Sequence, residues 1–342
     1  MIRVGVVGLG KMGMLHGGTM NAFPDAALVA GADSTKLVRQ GMSALTEGIA
    51  IHETFERMLA ESPLDAVVIT TPPFLHVPMA KACAEKGLHF LVEKPLGVSL
   101  EECRDLARVC RERGVVSLVG YVSRYMETYR KGKEILESGA LGQVDWVSAT
   151  IAVSEKFRES DNWLYKKATA GGGVLIGLAS HVIDLLVWYF GKPSRVGGIV
   201  RRAISKEVED YAHATIQWGD AFGGWLEAGW SVYNRRLPQS EIVVHGRNGQ
   251  LTIGRETLRV YLQEENGGYP AGWTELTKAD LYRGVEFFIG GAEFTLEDRE
   301  FIDAVQGKGK VAVDVFEALK TQEIVDGIYR AAETGRVQEL AR

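Results

Sequence analysis

Cysteine is scarce in this chain: Cys83, Cys103 and Cys110 are the only three in 342 residues, and no two form a C-x-x-C pair. That count supports neither a disulfide framework nor a zinc site, and the chain reads as a reduced, cytoplasmic protein. Cys103 and Cys110 lie seven apart in a helical pattern, which points to buried packing. Proline is also low, at 9 residues. No stretch approaches the roughly 18 uninterrupted apolar residues of a membrane span. The opening MIRVGVVGLG breaks into glycines before any cleavage site, so it is not a signal peptide. A basic excess is absent as well: 39 Lys and Arg face 44 Asp and Glu, a net charge of −5. This argues against the basic face of a nucleic-acid binder and against the polybasic patch of a membrane-surface protein.

The chain is rich in glycine, with 40 residues against 9 prolines. Such a ratio suggests tight turns and close backbone approaches rather than disorder. Apolar residues make up 46% and charged residues 24%, an ordinary balance for a globular protein, and the length suits about two domains. Up to residue 120, short β-branched runs (Ile2–Gly8, Ala27–Ala32, Ala66–Thr70, His89–Val92, Val115–Val119) alternate with helical patterns (Met12–Phe23, Phe55–Glu61, Val77–Glu85, Leu100–Arg113). This alternation predicts a parallel α/β sheet with right-handed crossovers. After Gly120 the pattern changes. A helix is expected at Tyr125–Leu136, a strand at Val144–Val153 and a glycine-opened helix at Gly171–Phe190. Successive strands with turn signals follow from Val196 to Leu262, then helices at Leu296–Gln306 and Val315–Glu333. The reading is an α/β domain over residues 1–120 and an α+β domain with a mostly antiparallel sheet over 121–342. Trp218, Trp225, Trp230 and Tyr233 fall in that sheet and read as face packing or oligomer surface.

The first strand runs directly into Gly8-Leu9-Gly10-Lys11-Met12-Gly13, which opens a helix. Asp33 ends the second strand, at the separation from Gly13 that the ribose-binding acid of a dinucleotide fingerprint takes. This is the context that gives G-x-G-x-x-G its meaning. Gly8 allows the tight turn, Gly10 lets the backbone approach a pyrophosphate, and Gly13 lets helix and strand pack closely. Lys11 and Met12 begin a helix whose free N–H groups suit an anion. Asp33, with Ser34 beside it, accepts hydrogen bonds from an adenosine ribose diol and repels a 2′-phosphate, which favours NAD over NADP. Lys36 and Arg39 lie just beyond, so NADP remains open.

Two further groups sit at strand ends, where ligands bind in open α/β sheets. Thr70-Thr71-Pro72-Pro73 with His76 closes the Ala66–Thr70 strand, and Glu93-Lys94-Pro95 closes the next. Pro95 restricts the Lys94 backbone and is compatible with a cis bond.

These motifs, with Gly171-Gly172-Gly173 and Ser180-His181-Val182-Ile183-Asp184, resemble the glucose–fructose oxidoreductase, inositol dehydrogenase and rhizopine-catabolism (Gfo/Idh/MocA) family over nearly the whole chain. The resemblance implies a Rossmann domain, a C-terminal domain with a large open sheet that commonly forms homodimer or homotetramer contacts, and a sugar- or cyclitol-like substrate. It matches Lys94 to the family's E-K-P lysine and His181 to the histidine after the triple glycine, the two expected catalytic groups. The family usually has an aspartate four residues before that histidine, and Gly177 stands there in this chain. On an ideal helix Gly177, His181 and Asp184 share a face. Asp184 is then either a group that orients His181 or an interface contact. Arg124, Tyr129, Trp163, Tyr165, Lys166 and Lys167 complete the candidate substrate contacts, since aromatics stack on sugar faces and cations recognise carboxylates or phosphates.

The expected activity is an NAD(P)-dependent hydride transfer between nicotinamide and a secondary alcohol or ketone, with Lys94 and His181 moving the proton. Two alternatives remain open at this level. One is an enzyme that retains NAD and oxidises a sugar only transiently. The other is a non-catalytic sensor of NAD and sugar. No metal, nucleic acid or membrane is expected.

Overall fold

A β-branched run with no polar residue inside it must be covered on both faces, and two such runs set the centre of the first sheet. Val4, Val6, Val7 and Ala66–Ile69 are all buried. The computed structural model describes residues 1–341, which divide into two compact units, 1–122 with 284–319, and 123–283 with 320 onward.

The first unit runs β1 (Ile2–Val7), α1 (Lys11–Ala22), β2 (Ala26–Ala32), α2 (Lys36–Leu45), β3 (Ala50–His52), α3 (Phe55–Glu61), β4 (Ala66–Ile69), α4 (His76–Glu85), β5 (His89–Glu93), α5 (Leu100–Arg113) and β6 (Ser117–Gly120). All its strand pairs are parallel, in the order β3-β2-β1-β4-β5-β6. The order reverses between β1 and β4, so the loops after these strands diverge and leave a crevice at their carboxyl ends. The sequence pattern predicts five strands, and six are found. β3 is a three-residue edge strand, and α2 buries none of its residues fully, so neither carries a strong periodic signal.

The second unit contains α6 (Glu127–Glu137), β7 (Val144–Ala152), α7 (Lys167–Ala170), α8 (Ser180–Phe190), β8 (Arg195–Arg201), β9 (Tyr211–Trp218), β10 (Phe222–Gly229), β11 (Gln239–Gly246), β12 (Gly249–Gly254), β13 (Thr257–Leu262), β14 (Gly272–Thr277) and α9 (Lys278–Leu281). After α10 (Ala292–Val305) and α11 (Val315–Thr334), β15 (Gln338–Glu339) completes a nine-stranded sheet in the order β14-β13-β12-β11-β7-β10-β9-β8-β15. Among the described residues, every pair is antiparallel except β7 with β10. One face of the sheet packs under α6 and α8 in a single apolar core. Trp218 and Trp230 belong to that core, whereas Trp225 (49% exposed) lies on the other face, stacked on Trp146, which stacks on His245. Tyr233 is 81% exposed and lies outside the strands.

Two expectations need correction. A single boundary near 120 misplaces residues 284–319, which return to the first unit. The reason is packing: Phe301 and Ile302 of α10 are buried with Val4, Val6, Leu9 and Met20. The continuous helix expected over Gly171–Phe190 is also broken. Gly171 takes a left-handed conformation (φ 80°) after α7, and Leu175–Ala179 forms one π-helical turn before α8. The helical stretch Lys167–Phe190 is long and apolar enough to cross a membrane by composition, but 78% of its apolar window is buried inside the protein.

Two charged groups in the second unit's core, Arg124 and Asp184, are paired. Arg124 Nε donates to Asp184 Oδ2 and its Nη2 to Asp184 Oδ1, both at 2.7 Å, with both side chains buried. Thr321 Oγ1 reaches Asp184 Oδ1 at 3.5 Å, and the Arg124 guanidinium lies over Trp188. Removing one half of a buried pair leaves the other half in a medium that cannot solvate it. Asp184→Ala is therefore expected to destabilise the second unit by about 3–5 kcal/mol, read as a lower urea midpoint of its unfolding transition. An unchanged midpoint would show that the pair does not hold the core.

In the first unit Arg299 of α10 clasps Asp25 through Nη1 (2.8 Å) and Nη2 (3.0 Å), and Gln306 adds a third donor at 3.0 Å. These bonds, Arg299 foremost, lower the Asp25 pKa from 3.8 to about 2. A depressed carboxyl pKa stabilises the fold above its unfolded value and loses that stabilisation as pH falls through the folded value. Arg299→Ala is expected to cost about 1 kcal/mol at neutral pH for this partly solvated pair. That cost should shrink below pH 3.8 and vanish below about pH 2. Urea titrations of both proteins across that window check it, and a pH-independent difference would contradict it.

Candidate active site

The turn from β1 to α1 leaves no room for side chains where the sequence places glycine. Gly8 has φ 89°, and a Cβ there would lie 2.9 Å from the Thr70 carbonyl carbon. A Cβ on Gly13 would lie 2.0 Å from Gly8 O, so only glycine lets α1 start against β1. At Gly10 a Cβ would meet nothing within 4 Å, which leaves the backbone open on the crevice side. Helix α1 has no side-chain N-cap and no acidic residue in its first turn, so its terminal N–H groups and positive dipole end face a site for an anion. Lys11 is exposed and Met12 half-buried at that end.

Asp33 follows β2. Its Oδ2 accepts Leu9 N–H at 2.9 Å and its Oδ1 accepts Thr35 N–H at 2.7 Å, which fixes the carboxylate beside the glycine turn. Each oxygen keeps a lone pair for a ligand hydroxyl. Arg39 Nη1 donates to the carbonyls of Asp33 and Ser34, both at 2.8 Å, and so braces the loop from behind. Gly8, Gly10, Gly13, the α1 N-terminus and Asp33 together fit a dinucleotide: close backbone approach, anion-binding amides and a fixed diol acceptor.

The loops after β4 and β5 are held by hydrogen bonds. Thr70 Oγ1 donates to Gly8 O at 2.6 Å, tying the β4 loop to the glycine turn. Buried His76 lies between Pro95 O (Nδ1, 2.8 Å) and Thr71 O (Nε2, 2.7 Å), so it links the Thr71–Pro73 loop to the Glu93–Pro95 loop. Burial pulls its pKa down, while the two carbonyls oppose that pull. Both ring nitrogens face main chain, so its contribution to the crevice is the shape of these loops. Pro72 is half-buried beside it. The Lys94–Pro95 bond is cis. Lys94 N–H donates to the carboxylate of its own neighbour, Glu93 Oε2, at 3.1 Å.

Glu93 also reaches a group that the sequence motifs do not single out. His16 of α1 approaches Glu93 Oε1 through Nε2 (3.3 Å) and Asp298 Oδ1 through Nδ1 (2.7 Å), and its side chain is fully buried. Burial favours the neutral ring, but Asp298 and Glu93 hold its pKa well above the usual value. Against the same burial, His16 keeps the Glu93 carboxyl below its usual range. Beside them Glu297 is fully buried, and burial raises its pKa well above normal. The only sequence signal for this cluster is a histidine three residues after Gly13. Its partners Glu93 and Asp298 stand 77 and 282 positions further along the chain.

In the second unit the triple glycine is a seat for a buried acid. Glu209 accepts the N–H groups of Gly173 and Leu175 at 2.9 Å and the Tyr329 hydroxyl at 2.8 Å. A Cβ on Gly172 would fall 2.0 Å from the Tyr329 oxygen, and one on Gly173 2.0 Å from Glu209 O. The π-helical turn that follows carries Gly177, directly before half-buried His181. Such single π turns are frequent at functional sites. A Cβ at Gly177 would rest 3.7 Å from Trp230 Cζ3, so the place of the family aspartate is bounded by an indole. Trp230 Nε1 donates to Asp210 Oδ1 at 2.9 Å, and Lys156 Nζ sits over the rings of Trp230 and Tyr165.

The remaining candidates divide by solvent access. Trp163 is partly exposed, and Lys166 and Lys167 are exposed, in the turn before the triple glycine; Tyr165 is buried there. Tyr129 is buried, with its hydroxyl 2.6 Å from Ser240. Arg124 and Asp184, both candidate substrate contacts by sequence, direct their charged ends at each other.

Comparison with known proteins agrees with this arrangement. Residues 2–121 match the model of an oxidoreductase family with an NAD-binding Rossmann fold, and residues 129–252 match the GFO/IDH/MocA C-terminal domain. An uncharacterized oxidoreductase of Synechocystis is 33% identical over 225 residues, covering 62% of this chain and 60% of that protein, so the match spans less than two thirds of its length. The scyllo-inositol 2-dehydrogenase (NADP(+)) of Bacillus subtilis is 27% identical, covering 75% of this chain and 73% of that one. The crystal structure of the WlbA dehydrogenase from Bordetella pertussis with NADH and UDP-GlcNAcA superposes with a TM-score of 0.88 at 25% identity, over 100% of this chain and 98% of that one. With both halves matched and the glycine turn, Asp33 and the E-K-P lysine in place, the chain belongs to the GFO/IDH/MocA family of NAD-binding oxidoreductases.

Proposed function

We propose that this oxidoreductase interconverts a secondary alcohol and a ketone on a sugar, sugar derivative or cyclitol, using a dissociable nicotinamide dinucleotide. The observation that carries the reading is the placement of Lys94 at the end of β5, on the same edge of the parallel sheet as the glycine turn and Asp33. Oxidation of the alcohol removes a hydride from carbon and a proton from oxygen. The bound nicotinamide supplies the hydride acceptor, or the donor in reverse. Lys94 contacts the reacting oxygen and moves its proton, and His181 is the second acid–base group. Trp163 and Lys166 contribute substrate contacts, the first by stacking on a sugar face and the second by meeting an acidic substituent. Gly177 leaves the substrate without the usual carboxylate, with Trp230 as the neighbouring wall.

The test is a purified-enzyme assay with NAD and a panel of sugars, uronic acids, nucleotide sugars and inositols, following reduced nicotinamide. Steady turnover is expected with at least one class, and a flat trace across the panel would overturn the reading. Lys94→Ala is expected to lower kcat by about 100-fold or more, the scale of lost acid–base catalysis, while NAD affinity stays within a few-fold. Unchanged turnover would remove Lys94 from the mechanism. Asp33→Ser is expected to shift the ratio of kcat/KM for NADP over NAD upward by roughly tenfold or more, because a carboxylate repels the 2′-phosphate. A ratio that does not move would take Asp33 out of cofactor choice.

A further inference from the structure

The buried cluster around His16 is not used by any step above, yet it ends one residue from Lys94. We propose that His16, clamped between Asp298 and Glu93, is a positioning residue that fixes the Glu93 carboxylate and through it the Lys94 backbone and ammonium. The inference rests on the reading that Lys94 serves the reacting oxygen.

Each ring nitrogen of His16 faces a carboxylate. Nδ1 faces a carboxylate oxygen of Asp298 at 2.7 Å, and Nε2 faces a carboxylate oxygen of Glu93 at 3.3 Å. A neutral imidazole has one N–H, so its bare nitrogen would point a lone pair at an anion. With both acids ionised, only the imidazolium satisfies both contacts; burial raises the Asp298 pKa, and His16 opposes that rise. Glu93 then has one oxygen on His16 and the other on Lys94 N–H at 3.1 Å, so its position is set from both sides. A Cβ at Gly120 would lie 3.3 Å from Glu93 Oε2, so glycine on the neighbouring strand leaves the carboxylate its place.

The groups facing His16 come from two elements. Helix α10 contributes Asp298, Glu297 and the ring of Phe294, which stands edge-on at 6.0 Å. Strand β5 contributes Glu93. Beyond them Lys94 and His76 act on Glu93, and Glu300 acts on Glu297. The charge count with Glu297 neutral is one cation against two carboxylates, and the second carboxylate is balanced by Lys94. A divalent ion is not needed to explain the contact between His16 and Asp298. Ligand atoms about 2.1 Å from a tetrahedral ion lie roughly 3.4 Å apart, whereas Nδ1 and Oδ1 meet at 2.7 Å, the distance of a charge-assisted hydrogen bond.

Without the Asp298 anion the ring gives up its second proton, Glu93 loses the imidazolium that holds its carboxyl ionised against burial, and Lys94 loses a carboxylate neighbour. That loss favours the neutral amine. The experiment uses the full chain and needs no sugar. Imidazole nitrogen NMR is expected to show both His16 nitrogens protonated at neutral pH in the wild type and not in Asp298→Asn. Competitive labelling with acetic anhydride, read by peptide mass spectrometry, is expected to modify Lys94 about threefold faster or more in Asp298→Asn, because the neutral amine is the nucleophile. Glu93→Gln should give the same acceleration, and the double variant no further gain, because both act through one carboxylate. NADH affinity of Asp298→Asn should stay within about threefold, since the dinucleotide cradle is separate.

Unchanged Lys94 labelling in folded Asp298→Asn, or additive effects in the double variant, overturns the proposal. So does a stoichiometric divalent metal that the wild type carries and Asp298→Asn lacks. Should Asp298→Asn fail to fold, the wild-type spectrum decides alone: a single protonated nitrogen on His16 at neutral pH rules the clamp out. A failed sugar panel would leave these readouts unaffected, so failure of the dehydrogenase reading and failure of the clamp are separate results.

Discussion

Helix α1 begins where it does because nothing larger than hydrogen fits between Gly13 and the carbonyl of Gly8. Most of the N-terminal site depends on that contact. It sets the first turn of α1 over the crevice, so the free amides point at an anion rather than at solvent. It brings Leu9 N–H to Asp33, which locks the diol acceptor to the same turn. It also puts His16, one turn further along, on the face of α1 that meets β5 and α10. A single alanine at Gly13 would move all three together, because the obstacle is backbone and cannot rotate away.

Three of the acids that the second unit buries, Asp184, Glu209 and Asp210, are held by specific partners. Asp184 and Arg124 neutralise each other with two short bonds, as a bidentate pair in low dielectric must. Glu209 is capped by two amides and a tyrosine, and burial still raises its pKa. Asp210 differs: against the cost of burial, amides of Ala203 and Ile204, the Trp230 indole and Ser205 hold its pKa below the usual value. Trp230 thereby becomes a fixed wall next to Gly177. Where the family resemblance implies an aspartate, a small residue stands against a large, hydrogen-bonded one.

The fold is legible in the sequence wherever local pattern and packing agree. The buried β-branched runs, the glycine turn and Asp33 are contiguous or evenly spaced, so their geometry is written within short stretches of chain. The edge strand Ala50–His52 and the exposed helix Lys36–Leu45 are not legible, because a short or solvated element leaves little periodic trace. The π turn at Leu175–Ala179 defeats a 3.6-residue count over the very segment where that count aligns Gly177, His181 and Asp184. By spacing, Asp184 is either a histidine partner or an interface contact. Its main partner is Arg124, and a pair whose members lie in separate elements, far apart in the chain, leaves no mark on spacing.

The return of residues 284–319 to the first unit has the same physical origin on a larger scale. A Rossmann half ends its own alternation at β6, and composition gives no reason to expect its core to be incomplete there. Yet Phe301 and Ile302 close the apolar layer over Val4, Val6 and Leu9, while Asp298, one turn earlier on the same helix, faces His16. The helix that completes the core thus also carries the carboxylate that meets His16. Any change that loosens α10 would reach both Leu9 of the glycine turn, which is buried with Phe301 and Ile302, and His16, which meets Asp298. Packing of the first unit and the hydrogen bonds of its buried histidine are therefore coupled through one helix that the linear sequence places near the far end of the chain.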